Sequence, residues 1–123
     1  MMNKRNRSIS RYLRLALLTA ITVSSVPALA ASFDCSRAQR ADEKAVCASR
    51  QLSEMDVEMS VRYEMLTGLV AMGTRGDMQD EQRAWLNLRK ACGSNQPCLA
   101  TTYRQRINTL KDEYAHLKSR GPF

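Results

Sequence analysis

Four cysteines in a chain of 123 residues constrain this protein more than any other feature of its sequence. In an oxidising compartment an even number of cysteines predicts a disulfide framework, whereas in the cytosol it more often indicates a metal or catalytic site. The interpretation of the cysteines therefore depends on whether the amino-terminal segment directs export. The four positions are Cys35, Cys47, Cys92 and Cys98.

The first 30 residues have the three parts of a secretory signal peptide. Residues 1–14 contain five basic and no acidic side chains, and residues 15–23 form a short apolar stretch, LALLTAITV. Ala28 and Ala30 place small side chains at the two positions that signal peptidase reads. We expect cleavage after Ala30, which leaves residues 31–123 as one domain. The apolar stretch is shorter than the roughly 20 residues needed to span a bilayer, so we expect no stable membrane anchor after cleavage.

Loss of the signal changes the charge of the protein. Five of the 19 basic residues lie in residues 1–14, so residues 31–123 carry 14 basic and 12 acidic side chains, a net charge of +2 rather than +7. The excess positive charge belongs to the export signal, and we expect no nucleic-acid partner. Cys35 does not directly follow the cut, which disfavours a lipoprotein. The expected product is periplasmic or secreted.

In such a compartment the four cysteines can pair in three ways. We favour Cys35–Cys47 with Cys92–Cys98, because each pair closes a short loop. Zinc is the alternative, but gaps of eleven and five residues fit poorly with the two to four residues usual between zinc ligands. We therefore expect disulfides and no metal.

The apolar residues of the mature chain recur with helical rather than strand periodicity. We predict an all-α bundle of one short and three longer helices. The short helix covers about residues 41–49, and the second runs from Ser53, as its N-cap, to about Met72. Glycines at 73 and 76 end it, Asp77 caps a third helix at 78–92, and Pro97 starts a fourth that reaches about residue 118.

The second helix has two apolar stripes on opposite sides. Such a helix is either central in its domain or meets another chain with its second side. We favour the first, because a small domain needs every apolar residue for its core. One stripe is Leu52, Met55, Met59, Tyr63, Leu66 and Val70, and the other is Val57, Val61, Met65, Leu69 and Met72.

Two of the predicted helices carry a cluster of arginine, aromatic and glutamine side chains. Arginine and aromatic residues are common anchors of binding sites. The alternative, which we favour, is a Trp and Tyr core whose arginines bond buried carbonyls or a carboxylate such as Asp56. The candidate binding residues are Gln82, Arg83, Trp85, Arg89, Tyr103 and Arg106.

The sequence gives little indication of copper binding, of catalysis or of a phosphate-binding loop. The methionines could bind Cu(I), but they divide between two sides of the second helix, so we expect core packing and no cofactor. The only histidine, His116, stands near no obvious nucleophile, and the glycine pair lacks a P-loop lysine. Acids Asp77, Asp80 and Glu81 are best explained as favourable charges at the start of the third helix. We predict a protein that is not an enzyme.

Two groups of residues form a pattern of some specificity. The first half contains Asp34-Cys35, Glu43-Lys44-Ala45-Val46-Cys47, Leu52-Ser53-Glu54-Met55-Asp56 and Tyr63. The second half contains Gln82-Arg83-Ala84-Trp85-Leu86, Arg89, Cys92, Cys98, Tyr103 and Arg106-Ile107. Over nearly the whole mature chain, this pattern resembles the lysozyme inhibitor LprI-like family.

The resemblance implies a small, exported, helical and disulfide-bonded bacterial protein. The family takes its name from a lipoprotein that inhibits lysozyme, so lysozyme inhibition is the activity that the resemblance suggests, while lipid anchoring is not implied for this chain. The expected function is that of an exported binding protein whose partner is lysozyme or another envelope protein. A non-catalytic interaction or structural module of the cell envelope is the alternative, and the oligomeric state stays open.

Overall fold

A computed structural model describes residues 31–121, and the predicted signal peptide lies outside the described residues. A 3-10 turn at Cys35–Arg37 precedes four helices, and no strand occurs within residues 31–121. The predicted all-α fold of one short and three longer helices is confirmed. The helices are α1 (Ala41–Ala48), α2 (Arg50–Leu69), α3 (Met72–Ala91) and α4 (Gln96–Ser119).

The core lies mainly between α2 and α4, which share the largest helix–helix contact, while α1 packs on both α2 and α3. The first predicted stripe of α2 faces this core, with Leu52, Met59 and Leu66 fully buried. From α4, the core receives Leu99, Tyr103, Ile107, Leu110 and Leu117. Buried apolar area of this kind supplies most of the favourable free energy of folding.

Both expected disulfides are present. Cys35–Cys47 ties the 3-10 turn to α1 with a Cα–Cα distance of 5.8 Å, and Cys92–Cys98 closes the α3–α4 turn with a Cα–Cα distance of 5.6 Å. No cysteine is left free. The second bridge holds α3 and α4 together as a helical hairpin.

The start of α2 differs from the prediction. Only Ser49 separates α1 from α2, and its hydroxyl oxygen accepts a hydrogen bond from the Leu52 amide at 3.3 Å. Ser49 is therefore the N-cap. Ser53, the predicted cap, is buried within the helix and donates its hydroxyl to the Val46 carbonyl at 2.7 Å.

The glycine-containing segment 73–76 is also helical, so α3 begins at Met72 and Asp77 is not its cap. Glycine weakens a helix by about 1 kcal/mol per residue without forbidding it. Arg75 offsets part of this loss by donating to the carbonyls of Thr67 and Val70 at 2.7 and 3.3 Å, which caps the end of α2. Asp80 and Glu81 consequently lie in the interior of α3, where the helix dipole does not explain them.

The second stripe of α2 lies in solvent, and the expectation that the domain buries both stripes is wrong. Its side chains are exposed by between 38% and 85%. Among residues 31–121 the helices that pack most closely on α2 are α1 and α4, and neither covers this side. None of the described helices is long and apolar enough to cross a membrane. The exposed residues on α2 are Val57, Val61, Met65 and Leu69, and the fifth, Met72, which was predicted to end the second helix, lies beyond it because α2 ends at Leu69 and α3 begins at Met72.

Candidate functional site

Four polar side chains, one from each helix, meet in the core and form what we call the buried polar cluster: Asp42, Asp56, Arg89 and Tyr103. Arg89 donates from Nε to an Asp42 oxygen at 3.0 Å and from Nη1 to the Tyr103 hydroxyl at 3.2 Å. The Tyr103 hydroxyl donates in turn to Asp56 at 2.8 Å. Each member is at least nine-tenths buried. Buried charges persist only where they are paired and hydrogen-bonded, as they are here.

The pKa shifts of Asp42 and Tyr103 suit the hydrogen bonds that these two residues make. Burial raises the pKa of Asp42, but the hydrogen bond from Arg40 and the positive charge of Arg89 outweigh it, so the pKa lies below its ordinary value of 3.8. Burial and the charge of Asp56 raise the pKa of Tyr103 well above its ordinary value. Tyr103 therefore stays a neutral hydrogen-bond donor over the physiological range.

An amino-terminal strap, residues 31–34, lies against this cluster. Ser32 donates to the second Asp56 oxygen from its amide at 2.7 Å and from its hydroxyl at 2.6 Å. The Phe33 ring lies 5.6 Å from the Arg89 guanidinium carbon, within cation–π range. Asp56 thus holds both α4, through Tyr103, and the strap, through Ser32.

The six predicted binding residues are not all in one place: some belong to the buried polar cluster, one lies beside it in the core, and the others lie elsewhere along α3 and α4. Arg89 and Tyr103 belong to the buried polar cluster. Trp85 is buried beside Tyr103, with ring centroids 5.1 Å apart and its indole N–H donated to the Thr102 carbonyl at 3.1 Å. These three positions match the packing interpretation of the sequence, in which the arginine bonds a buried carboxylate.

The remaining three candidates lie on α3 and α4. Arg106 is buried and donates to the Gln82 side-chain oxygen at 3.0 Å and to Glu81 at 3.2 Å. Its Nη2 is buried without a hydrogen-bond partner among the described residues. Arg83 is exposed and pairs with Asp80, one turn away on the same helix. Only Arg83 and the half-buried Gln82 are therefore accessible to a partner.

An open cleft of about 530 Å³ lies between the strap region and helices α2 and α3. Its volume falls in the range of ligand-binding pockets. Its apolar walls include Phe33, Met59 and Leu86, and two of the predicted residues, Gln82 and Arg89, also line it. Four carboxylates face it against two guanidinium groups: Asp34, Glu43, Asp56 and Glu64 against Arg37 and Arg89.

Not all of these charges are available to a partner. Asp56 and Arg89 are satisfied within the buried polar cluster, and Glu43 pairs with Arg40 at 3.0 Å. Within residues 31–121, no ion pair involves Asp34, Glu64 or Arg37. The rim therefore presents two uncompensated carboxylates and one guanidinium to solvent.

Sequence reasoning missed most of this cleft, because its walls come from four segments that are distant along the chain. One member of the cluster did leave a signal. Asp42 precedes Ala45 and Val46 by three and four residues, so its carboxylate shares the buried side of α1. Phe33, an aromatic residue just beyond the predicted cut, was a second available signal.

The described residues offer no obvious catalytic or metal centre. No three His, Cys, Asp or Glu side chains of residues 31–121 converge to hold a metal ion. The cysteines are oxidised, and the carboxylates of the buried polar cluster are bonded to Arg89 and Tyr103. The exposed features of the described residues are the charged rim of the cleft and the apolar side of α2.

Comparison with known proteins agrees with this description. The family model described as lysozyme inhibitor LprI matches residues 35–110, which include both disulfides, α1, α2, α3 and most of α4. No curated protein and no solved structure matches the chain. An inhibitor family is not a catalytic one, and together with the two disulfides it indicates an extracytoplasmic protein. The chain belongs to the LprI lysozyme inhibitor family.

Proposed function

We propose that residues 31–123, released by cleavage after Ala30 into the periplasm or the medium, form a non-catalytic protein that binds and inhibits lysozyme. The observation that carries this proposal is the family match over residues 35–110, which spans more than half of the chain. The two disulfides support it, because they suit an exported protein that must remain folded in an oxidising compartment.

The rim of the cleft is the surface that we assign to lysozyme. C-type lysozymes are strongly basic and hydrolyse glycosides with two carboxylates in an open cleft. Asp34 and Glu64 would contact basic side chains around that cleft, and Arg37 would reach towards its carboxylates. Complementary charges of this kind accelerate association and set orientation more than they add affinity. Because the net charge of the mature chain is small, we expect the charges of the rim, rather than the net charge, to steer the protein towards lysozyme.

Arg83 is the second cation available to an enzyme carboxylate. It is exposed on α3, and its partner Asp80 is equally exposed, so the pair can separate at little cost in free energy. Arg89 is unsuited to a direct contact, because the buried polar cluster holds it. A substitution of Arg89 would also disturb folding, so loss of inhibition by such a variant would not locate the binding surface.

The test measures lysis of a peptidoglycan suspension by C-type lysozyme in the presence of the oxidised mature domain. We expect dose-dependent inhibition, and at least a tenfold weaker effect for the double variant Asp34→Asn/Glu64→Gln. Both replacements keep a hydrogen-bond acceptor for Ser36 and Ser60. Arg37→Ala and Arg83→Ala report separately on the two exposed cations.

The matched control is Glu54→Gln/Asp112→Asn, which makes the same change of net charge at exposed positions outside the cleft. Equal weakening by both double variants would point to net charge and reject the rim as the site. Unchanged lysis with folded, disulfide-bonded wild-type protein in large molar excess would reject inhibition of C-type lysozyme altogether.

A non-catalytic interaction or structural role in the cell envelope is the second candidate. The observation that favours it is the exposed apolar side of α2, which the bundle does not use for its own core. Exposed patches of this kind are typical of protein–protein contacts. If the lysis assay shows no inhibition, this function takes the place of the first.

A further inference from the structure

We propose that the protein self-associates through α2, with a second copy of the chain covering the exposed apolar side. The residues involved are Val57, Val61, Met65 and Leu69, which we call the α2 ridge. They are exposed by 38%, 48%, 61% and 50%. This inference is independent of lysozyme inhibition, because the ridge does not line the cleft.

The spacing of the α2 ridge is suited to a symmetric contact. Its members follow one another at intervals of four residues, which places them in a single row along the helix surface. Met65 is near the middle of the row, with Val61 and Leu69 at equal distances on either side. A two-fold axis near Met65 would place Val61 of one copy against Leu69 of the other, so the row is complementary to itself.

A groove beside the ridge provides the recess that such packing requires. It has a volume of about 220 Å³ and lies between α2 and α4. Met65 borders it together with Leu110 and Tyr114, and Arg62 is the one charged residue of its otherwise apolar lining. Rows spaced by four residues on two helices interdigitate when the helices cross at about −50°. Each copy would then supply one ridge and one groove.

The charges around the ridge do not oppose this contact. Arg62, the nearest cation, is paired with Glu58 at 2.8 Å, and Lys111 of α4 approaches the same carboxylate at 3.4 Å. The mature chain also has a net charge of only +2, so two copies repel each other weakly. The unpaired carboxylate next to Met65 in the sequence, Glu64, lines the cleft rather than the groove, and Arg62 and Glu58 keep each other as partners when the ridge is covered.

The available area predicts a dimer of modest affinity. Tyr114, exposed by 49%, adds apolar surface beside Met65 at the groove. At roughly 150–250 Å² for a large side chain, the exposed parts of the ridge and Tyr114 amount to about 500 Å² per copy. Stable interfaces bury about 800 Å² per partner. We therefore expect dissociation in the micromolar range.

The test is sedimentation equilibrium of the oxidised mature protein from low micromolar to near-millimolar concentration. We expect the average mass of the wild type to rise towards twice the monomer mass, and Met65→Glu to remain monomeric. The matched control is Leu88→Glu on α3, because Leu88 is exposed by the same 61% but lies outside the ridge and the groove. Leu88→Glu should associate like the wild type.

A second measurement tests the position of the two-fold axis. Met65→Cys should form an intermolecular disulfide on mild oxidation at concentrations where the wild type is dimeric, whereas Leu88→Cys should not. A wild type that stays monomeric through the whole range overturns the proposal. So does an equal loss of association in Met65→Glu and Leu88→Glu, or equal cross-linking of the two cysteine variants.

Discussion

The hydroxyl of Tyr103 on α4 donates a 2.8 Å hydrogen bond to Asp56 on α2, although 47 residues separate the two along the chain. Arg89 bonds the same hydroxyl and also reaches Asp42, so a single set of contacts joins all four helices. Apolar contacts are less directional than hydrogen bonds, whereas these bonds require one relative placement of the helices. We infer that the buried polar cluster selects the packing arrangement of the bundle.

Removal of Arg89 tests that inference. Arg89→Met would leave Asp56 buried without its cation and Asp42 paired only with the partly exposed Arg40. Breaking a buried ion pair on one side costs about 3–5 kcal/mol. We expect the free energy of unfolding to fall by this amount in a urea titration followed by circular dichroism. Arg83→Met is the control, because its exposed pair should contribute no more than about 1 kcal/mol. Similar losses in both variants would contradict a special role for the cluster.

The depressed pKa of Asp42 predicts a loss of stability in acid. A carboxyl group whose pKa is lower in the folded state stabilises the fold above its unfolded pKa, and this contribution disappears as the pH falls through the folded value. We expect the melting temperature of the wild type to fall increasingly below about pH 4, near the ordinary pKa of aspartate. Asp42→Asn should be less stable at pH 7 and show a shallower decrease in acid.

Glu113 on α4 should behave in the opposite way. Burial and the nearby charge of Glu81 raise its pKa, although Arg106 acts against them. A carboxyl group with a raised pKa destabilises the fold when ionised, and this penalty vanishes as the pH falls below its unfolded pKa. We expect Glu113→Gln to raise the melting temperature at pH 7 by a few degrees, and the gain to disappear near pH 3. A gain that is constant with pH would exclude the ionised carboxylate as its source.

The two disulfides should differ in their contribution to stability. In the chain-entropy description a longer closed loop gives more stabilisation, and loops of this size predict about 2–3 kcal/mol each. Cys35–Cys47 closes the longer loop, with a separation of 12 residues against 6, and it also tethers the strap. Replacing this pair with alanine should therefore lower the urea midpoint more than replacing Cys92 and Cys98. The reverse order would show that the α3–α4 turn matters more than loop length.

Local patterns in the sequence were sufficient for the architecture. Periodicity predicted four helices and the buried stripe of α2, and short loop closure predicted both disulfides. Local patterns failed where two residues compete for one role. Ser49 and Ser53 are both acceptable N-caps, and only the close approach of α1 decides in favour of Ser49.

The candidate site was harder to predict than the fold, because it depends on contacts between residues that are distant along the chain. Whether Arg89 is exposed or paired depends on Asp42, 47 residues away, and no periodic pattern reports such a contact. Burial of the second α2 stripe was expected because a small domain needs its apolar residues for the core. That argument considers only the number of apolar residues, and it does not establish that another helix packs against them. The number of covering elements is a tertiary property, and the two helices that pack most closely on α2, α1 and α4, cover only one side of it.

The glycines at 73 and 76 give the last prediction. The sequence indicates that they end a helix, whereas in the structure they lie within α3. Gly73 and Gly76 lie within the first turns of the helix, and a Cβ atom added at either position would meet no atom within 4 Å. Alanine restricts the unfolded chain and favours the helix, so each substitution should stabilise the protein by about 0.5–1 kcal/mol. If the segment were instead the loop that the sequence suggested, alanine would lack the part of this gain that comes from helix propensity. Gly93→Ala is the control: this glycine, in the α3–α4 turn, has a φ of 54°, and alanine there should destabilise the protein. The free energies of unfolding of the three variants are measured by urea titration. Stabilisation at positions 73 and 76, with destabilisation at position 93, is the result expected of a helix that begins at Met72.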